Sequence, residues 1–412
     1  MSTHMVAKHA LREKSGDIIF GIAARAKERA EKIGSENIIN STIGSLLDDN
    51  GKLITLDTVY NSYKKLPNEK IADYAPPEGI HEFLEAAKKA CFMGHEPKCH
   101  IRAVATPGGT GGIRHAVYNF TNEGDKILTA NWYWAPYKTI ATEYERGFDT
   151  FNLFNDKKEF DFESYKAKFD ELLDAQGRLL IILNTPAHNP TGYTISDEEW
   201  DKIIALASDR VADGSKKVIF LCDIAYIDFS RDCCRNFMEK FGGLSENILA
   251  LFSFSTSKSF TMYGLRNGAL LMCSSDEEIA EECYYSCSFS NRASWSNGSR
   301  GAMQVVVDIF SDDKLLAEFE KERDGFRKLL ADRGAAFWKS AKENNLPVTN
   351  YKDGFFVSVE CKDPKALCER LIEDNLFTVP LQNGIRLALC AISEEKCAVA
   401  PKLIKKALEE LE

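Results

Sequence analysis

Lys258 stands in a stretch that gathers groups able to grip an anion and attack a carbonyl: Ser255, Ser257, Lys258 and, eight positions on, Arg266, with Gly264 and Gly268 as neighbours. A lone lysine after an apolar run is ordinarily a solvated loop cation. Two cations and two hydroxyls around one turn suit a bound phosphate, because a guanidinium grips it bidentately while hydroxyls donate singly. A second cation nearby also lowers a lysine's pKa, which turns the amine into a nucleophile toward a carbonyl carbon.

Other chemistry-bearing residues stand just past apolar runs. Lys217-Val218-Ile219-Phe220-Leu221-Cys222 delivers Asp223, with Tyr226 three positions later. A carboxylate there can pair with a cationic ring nitrogen through a charge-assisted bond worth roughly 1.5–3 kcal/mol. Thr106-Pro107-Gly108-Gly109-Thr110-Gly111-Gly112 follows the run 101–105 and reads as a glycine loop opening a helix at about 113, where free N–H groups and the helix dipole favour a phosphate. Its glycine spacing is not that of a dinucleotide fingerprint. Asn131-Trp132-Tyr133-Trp134-Ala135-Pro136-Tyr137 offers a flat ligand several aromatic faces, although aromatics after a strand are more often core. Asn189-Pro190-Thr191-Gly192 is a turn signal after Leu179-Leu180-Ile181-Ile182-Leu183. Arg386 sits inside the apolar run 384–389, a costly place for a cation unless it meets an anion.

Ser-x-Ser-Lys followed by Gly-x-Arg-x-Gly, the Asp223…Tyr226 pair and Asn-Pro-Thr-Gly together resemble the class I, fold type I aminotransferases of pyridoxal 5'-phosphate (PLP), nearest the aspartate and aromatic group. The resemblance runs over nearly the whole chain in the family's order. It implies transfer of an amino group from an L-amino acid to a 2-oxo acid by a ping-pong cycle, with Lys258 holding PLP as a Schiff base. It further implies that Asp223 keeps the ring nitrogen protonated, that Tyr226 and Asn189 donate to the ring oxygen and that Trp134 covers the ring, with Trp132 as the fallback. Gly108, Gly109, Thr110, Ser255, Ser257 and Arg266 would hold the phosphate. Arg386 would clamp the substrate's α-carboxylate, and Gly44 would leave room over the substrate. Tyr74 and Arg292 would cross a homodimer interface, the first to the neighbour's phosphate, the second to a dicarboxylate substrate's distal carboxylate. Arg292, Trp295, Ser296 and Asn297 match that segment, but Gly298-Ser299 stands where the family has Pro-Pro. A β-lyase or decarboxylase on the same fold is the alternative reaction. The ligand-sensing part of a transcription regulator is a further alternative, for which neither terminus supplies a basic DNA-binding module.

The elements that must position these residues alternate strand and helix from about residue 50 to 310, which predicts an α/β fold: a mainly parallel sheet of the seven-stranded type flanked by helices, with ligands at the strands' carboxyl ends. Residues 46–315 form the large domain in this reading, and 1–45 with 316–412 form a smaller α+β domain. Helices are expected over 23–33, 81–93, 313–344 and 394–412, and strands over 38–44 and 355–359. The segment 291–298 reads as a loop. Across 412 residues, 52 Lys+Arg against 62 Asp+Glu give a net charge of −10, which argues against a nucleic-acid or anionic-membrane surface. The 12 cysteines show no disulfide framework, and Cys233, Cys234, Cys283 and Cys287 lack zinc spacing, so free thiols, no metal and a cytoplasmic location are expected.

Overall fold

The computed structural model describes residues 5–12, 18–231 and 234–411. Cys233 and the last residue expected in the closing helix, Glu412, lie outside them. The strands among the described residues are β1 (Ile39–Asn40), β2 (His100–Thr106), β3 (Lys126–Ala130), β4 (Gly147–Phe151), β5 (Arg178–Asn184), β6 (Lys217–Asp223), β7 (Ile248–Ser255), β8 (Gly268–Ser274), β9 (Phe356–Glu360), β10 (Leu376–Phe377), β11 (Val379–Pro380) and β12 (Gly384–Ala388).

Seven of them form one sheet in the order β2-β8-β7-β6-β5-β3-β4. Only β8 runs against the rest, pairing antiparallel with both β2 and β7. β5, β6 and β7 are apolar almost throughout and buried on both faces, because helices cover the sheet above and below. Register aligns their carboxyl ends: Asn184 lies beside Asp223, and Asp223 beside Ser253. Polar residues that follow the apolar runs are thereby brought to one edge of the sheet, the place where open α/β sheets bind ligands.

A second sheet, β11-β12-β9, is antiparallel. Its core joins Ile39 near the N-terminus to Phe337, Val357, Leu387 and Ala407 near the other end. The helix Asp313–Glu343 starts on the Asp312 side chain, which accepts from the amides of Lys314 and Leu315, and the closing helix runs Glu394–Leu411.

Several local expectations are corrected. The glycines at 108–112 are not a loop: the helix begins at Gly108 and runs to Phe120, five residues earlier than its apolar pattern indicates. Close packing explains those glycines, since a Cβ on Gly112 would stand 2.7 Å from Ser253 Oγ and one on Gly108 would stand 2.8 Å from Arg266 Nη2. β7 extends through Ser255, and Lys258 lies in the short helix Thr256–Ser259 rather than a loop. Arg292 is likewise helical, in the last turn of Glu277–Ser294. The run 38–44 forms only the two-residue β1, which pairs with β10.

Candidate active site

A cavity of about 660 Å³ opens at the carboxyl edge of the large sheet and is closed from the other side by β11, β12 and Phe356 of β9. Lys258 is brought there by β7. The Ser255 side chain accepts from the Ser257 amide, which turns the chain so that Lys258 Nζ donates to the Gly44 carbonyl at 2.5 Å. Its ammonium lies 4.6 Å from the Tyr263 ring, 5.6 Å from Phe355 and 5.9 Å from Tyr226. Burial does most to pull its pKa from the usual 10.5 to about 8, and Arg386 and Arg266 add to this against an opposing contribution from Cys390.

Asp223, at the end of β6, has its carboxyl pushed up to about 6 by burial. The Tyr137 hydroxyl donates to it at 2.5 Å and the Ala225 amide at 3.3 Å, which together hold that rise back. The Asn189 amide Nδ2 reaches the Tyr226 hydroxyl at 3.3 Å, and the Asn189 Oδ1 accepts from Arg386 Nη1 at 3.4 Å. Arg386 also donates to the Thr42 carbonyl at 2.6 Å, lies 4.4 Å over the Phe356 ring and leaves its buried Nε without a partner. Trp134 lines the cavity and meets Tyr137 edge-on at 5.6 Å, whereas the fallback Trp132 lines a separate cleft.

Gly109, Thr110, Ser255, Ser257 and Arg266 gather at one end of the cavity. No side chain caps the helix that starts at Gly108, so its first N–H groups are free to meet an anion. Arg266 Nη1 donates to Ser257 Oγ at 3.3 Å and Nη2 to the Pro107 carbonyl at 3.5 Å. Gly44 lines the cavity wall, and a Cβ on it would stand 2.5 Å from Phe356 Cζ.

Three candidates do not line this cavity. Gly108 lies behind its wall, packed against the Arg266 guanidinium at the helix start. Tyr74 is 80% exposed, its carbonyl accepting from Arg300. Arg292 is exposed and donates to Ser296 Oγ at 2.6 Å. Residues without a sequence assignment also line the cavity: Tyr263, whose hydroxyl accepts from the Leu46 amide at 3.0 Å, and Phe356, together with Ile18, Ile43 and Tyr133. Tyr137 stands in the aromatic run 131–137, three positions after Trp134. Phe356 looks like any core residue of a strand.

Residues 36–404 match the family described as aminotransferase class I and II. The chain belongs to this family. It is 26% identical over 341 residues to the aspartate aminotransferase of Escherichia coli (strain K12), covering 79% of this chain and 81% of that protein. It is 26% identical over 359 residues to the tyrosine aminotransferase of Rhizobium meliloti (strain 1021), covering 84% and 87%. The crystal structure of an aminotransferase from Anaerococcus prevotii DSM 20548 superposes with a TM-score of 0.97 at 37% identity, covering 98% of this chain and 100% of that one. The aromatic-amino-acid aminotransferase of Burkholderia pseudomallei, described as covalently bound to pyridoxal phosphate, shares the fold with a TM-score of 0.80 at 19% identity, covering 98% and 100%. The protein is therefore an aminotransferase that works with PLP.

The residues present fit that cofactor. A buried carboxyl with no cation beside it, an uncapped helix start next to an arginine, and a buried lysine amine face one cavity. These are the partners a ring nitrogen, a phosphate and an aldehyde carbon need.

Proposed function

We propose that the enzyme transfers amino groups from acidic or aromatic L-amino acids to 2-oxo acids, with Lys258 as the carrier amine, in homodimers whose two active sites each borrow Tyr74 and Arg292 from the other subunit. The observation that carries the reading is one cavity lined together by Lys258, Asp223, Arg386 and the anion-holding groups Gly109, Thr110, Ser255, Ser257 and Arg266.

Arg266, Ser255, Ser257, Gly108, Gly109 and Thr110 would hold the phosphate, Asp223 the ring nitrogen, and Tyr226 with Asn189 the ring oxygen, under Trp134. Bound PLP supplies an electrophilic carbon for amines and a ring that accepts the electron pair left when a substrate's α C–H bond breaks. Arg386 binds the α-carboxylate, and its unpartnered Nε has the hydrogen a second carboxylate oxygen requires. Lys258, lowered to about 8, has an amine neutral often enough near neutral pH to take the proton from the substrate's Cα. Gly44 leaves the substrate side open. Arg292 of a second copy would pair with the distal carboxylate of aspartate or glutamate, and aromatic side chains would lie on the apolar wall near Ile43 and Tyr133.

Ile39 shares a core with residues 337–407, which supports reading 1–45 and 316–412 as one small domain on the larger 46–315. No described helix is long and apolar enough to cross a membrane, and the described cysteines are free thiols, which supports a cytoplasmic enzyme.

The test is the visible absorbance of the PLP-loaded enzyme during titration with L-aspartate, L-tyrosine and L-alanine. The expected result is bleaching by aspartate or tyrosine, absent in Lys258→Ala and requiring at least tenfold more amino acid in Arg386→Leu, since a buried charge pair is lost. Unchanged titration in Arg386→Leu would remove that residue from substrate binding, and bleaching by the amino acid at the parental rate in Lys258→Ala would remove the lysine from its role.

A further inference from the structure

A closed set of hydrogen bonds behind the cavity ties together the segments that carry Thr110, Tyr74 and Arg292. His115 lies on the helix Gly108–Phe120 and is fully buried, as is Asn291, one residue before Arg292. Asn291 spends both amide hydrogens on main-chain carbonyls, on Pro77 at 2.8 Å and Ala105 at 2.9 Å. Its Oδ1 therefore accepts, at 2.6 Å, and His115 Nε2 carries the hydrogen. His115 Nδ1 then accepts from Arg114 Nη1 at 3.2 Å, and the ring packs against Trp295 at 4.8 Å. Burial, aided by Arg114, pushes the imidazole down to about 4, so the network holds one neutral tautomer near neutral pH.

The places joined are specific. Pro77 is three residues from Tyr74, and Ala105 precedes the last residue of β2, which leads into the glycine-rich helix start. The Asn291 carbonyl also accepts from the amides of Trp295 and Ser296, closing the turn on which the Arg292 guanidinium rests. A purely structural seam exists on the same pair of helices, where Asn119 accepts from Ser290 Oγ at 2.9 Å and reaches Cys287 Sγ at 3.6 Å, without touching either outward segment.

We propose that His115 and Asn291 are positioning residues that lock the outward-facing Tyr74 and Arg292 in fixed relation to the phosphate-holding helix, so that a second copy's active site receives both in register. The proposal rests on the reading that these two residues complete a neighbouring subunit's site. It makes the specificity for a second carboxylate depend on a histidine that touches neither substrate nor cofactor.

Steady-state kinetics of the PLP-loaded enzyme with L-aspartate test it in His115→Leu, His115→Gln, Asn119→Ala and Arg292→Leu. His115→Leu is expected to raise KM for aspartate roughly tenfold with kcat held within about twofold, the signature of binding lost equally in ground and transition states. His115→Gln, which keeps a donor where Nε2 stood, is expected to restore KM, and Asn119→Ala to leave it unchanged. The same rise in Asn119→Ala, or no rise in His115→Leu while Arg292→Leu does raise KM, would overturn the proposal and leave the dimer reading standing. No effect of Arg292→Leu, or no turnover of aspartate, would overturn both. If His115→Leu fails to fold, His115→Ala, whose vacated space admits water to the Asn291 side-chain oxygen and keeps that residue's bonds to Pro77 and Ala105, is judged by the same outcomes.

Discussion

Asp223 shows how burial makes one contact strong. Its carboxyl is raised from the ordinary 3.8 to about 6 by burial, although Tyr137 and the Ala225 amide stabilise the ionised form. Ionising it with no cation beside it costs roughly 3 kcal/mol relative to water, at about 1.4 kcal/mol per pKa unit. Because the folded value lies above the unfolded one, the native state binds more protons between about pH 4 and 6, so this group lowers stability as pH rises through that window. Denaturant unfolding of cofactor-free protein is therefore expected to show a fall on the order of 3 kcal/mol from this source, absent from Asp223→Asn. Parallel pH profiles for the two proteins would show that the carboxyl is not destabilised. In the proposed site a protonated ring nitrogen would be the partner this carboxylate lacks, and the same burial would then strengthen cofactor binding. Tyr137→Phe, which removes the 2.5 Å donor, is expected to weaken PLP affinity at least tenfold, from a charge-assisted bond worth roughly 1.5–3 kcal/mol. Equilibrium dialysis against PLP checks it, and a change below twofold would make the tyrosine dispensable.

At the scale of elements, the site depends on how the carboxyl ends of the strands are held against the long helix. Asp228, in the turn Ile227–Phe229 beyond β6, pairs with Arg235 at 2.6 Å and with Arg323 of the helix Asp313–Glu343 at 3.1 Å. Burial opposes its charge, but the two arginines overcome that and hold it down at about 2. Asp228→Asn leaves two buried guanidinium groups short of a counter-charge, and a loss of roughly 3–5 kcal/mol is expected. Thermal unfolding within 1 °C of the parent's would show the pair to be energetically idle. Nothing in the sequence links Asp228 to Arg323, because a pairing across 95 positions leaves no local pattern. Strands are legible for the opposite reason: β5, β6 and β7 are unbroken apolar runs because both faces are covered, and each ends where polarity begins. Helix starts are less legible. Glycine disfavours helix, so 108–112 reads as loop, yet packing against Ser253 and Arg266 requires glycine inside the first turns. The segment at Arg292 reads as loop from its polarity, whereas helix Glu277–Ser294 carries polar residues on an outward face. Phe356 and Tyr263 enter the cavity through tertiary packing alone, so only a family pattern could have singled them out.

At the scale of the whole molecule, the surface beside Arg292 carries large exposed apolar side chains. Tyr285 and Phe289 are 66% and 78% exposed on the helix Glu277–Ser294, and with Arg292 they fall four and three residues apart, on one face. Tyr74, 80% exposed, is held by Arg300 and by the Pro77 carbonyl's bond to Asn291. Large exposed apolar side chains on the face that carries Arg292 are what the proposed dimer would cover. If the proposed dimer shares its sites, two variants that are each defective with aspartate should rescue one another. Lys258→Ala lacks the amine in its own cavity but presents intact Tyr74 and Arg292. A chain carrying Tyr74→Ala and Arg292→Leu keeps its own amine and lacks what it should lend. In a mixed dimer one site gathers both defects and the other gathers none. Half of the dimers in an equal, fully exchanged mixture are mixed, so about a quarter of all sites should recover parental kcat and KM. Activity measured after unfolding and refolding the two chains together checks this against each chain refolded alone. Recovery to that level requires that the outward-facing residues serve a neighbour's cavity, and an inactive mixture whose dimers are shown to have exchanged would mean that each cavity is complete within its own chain.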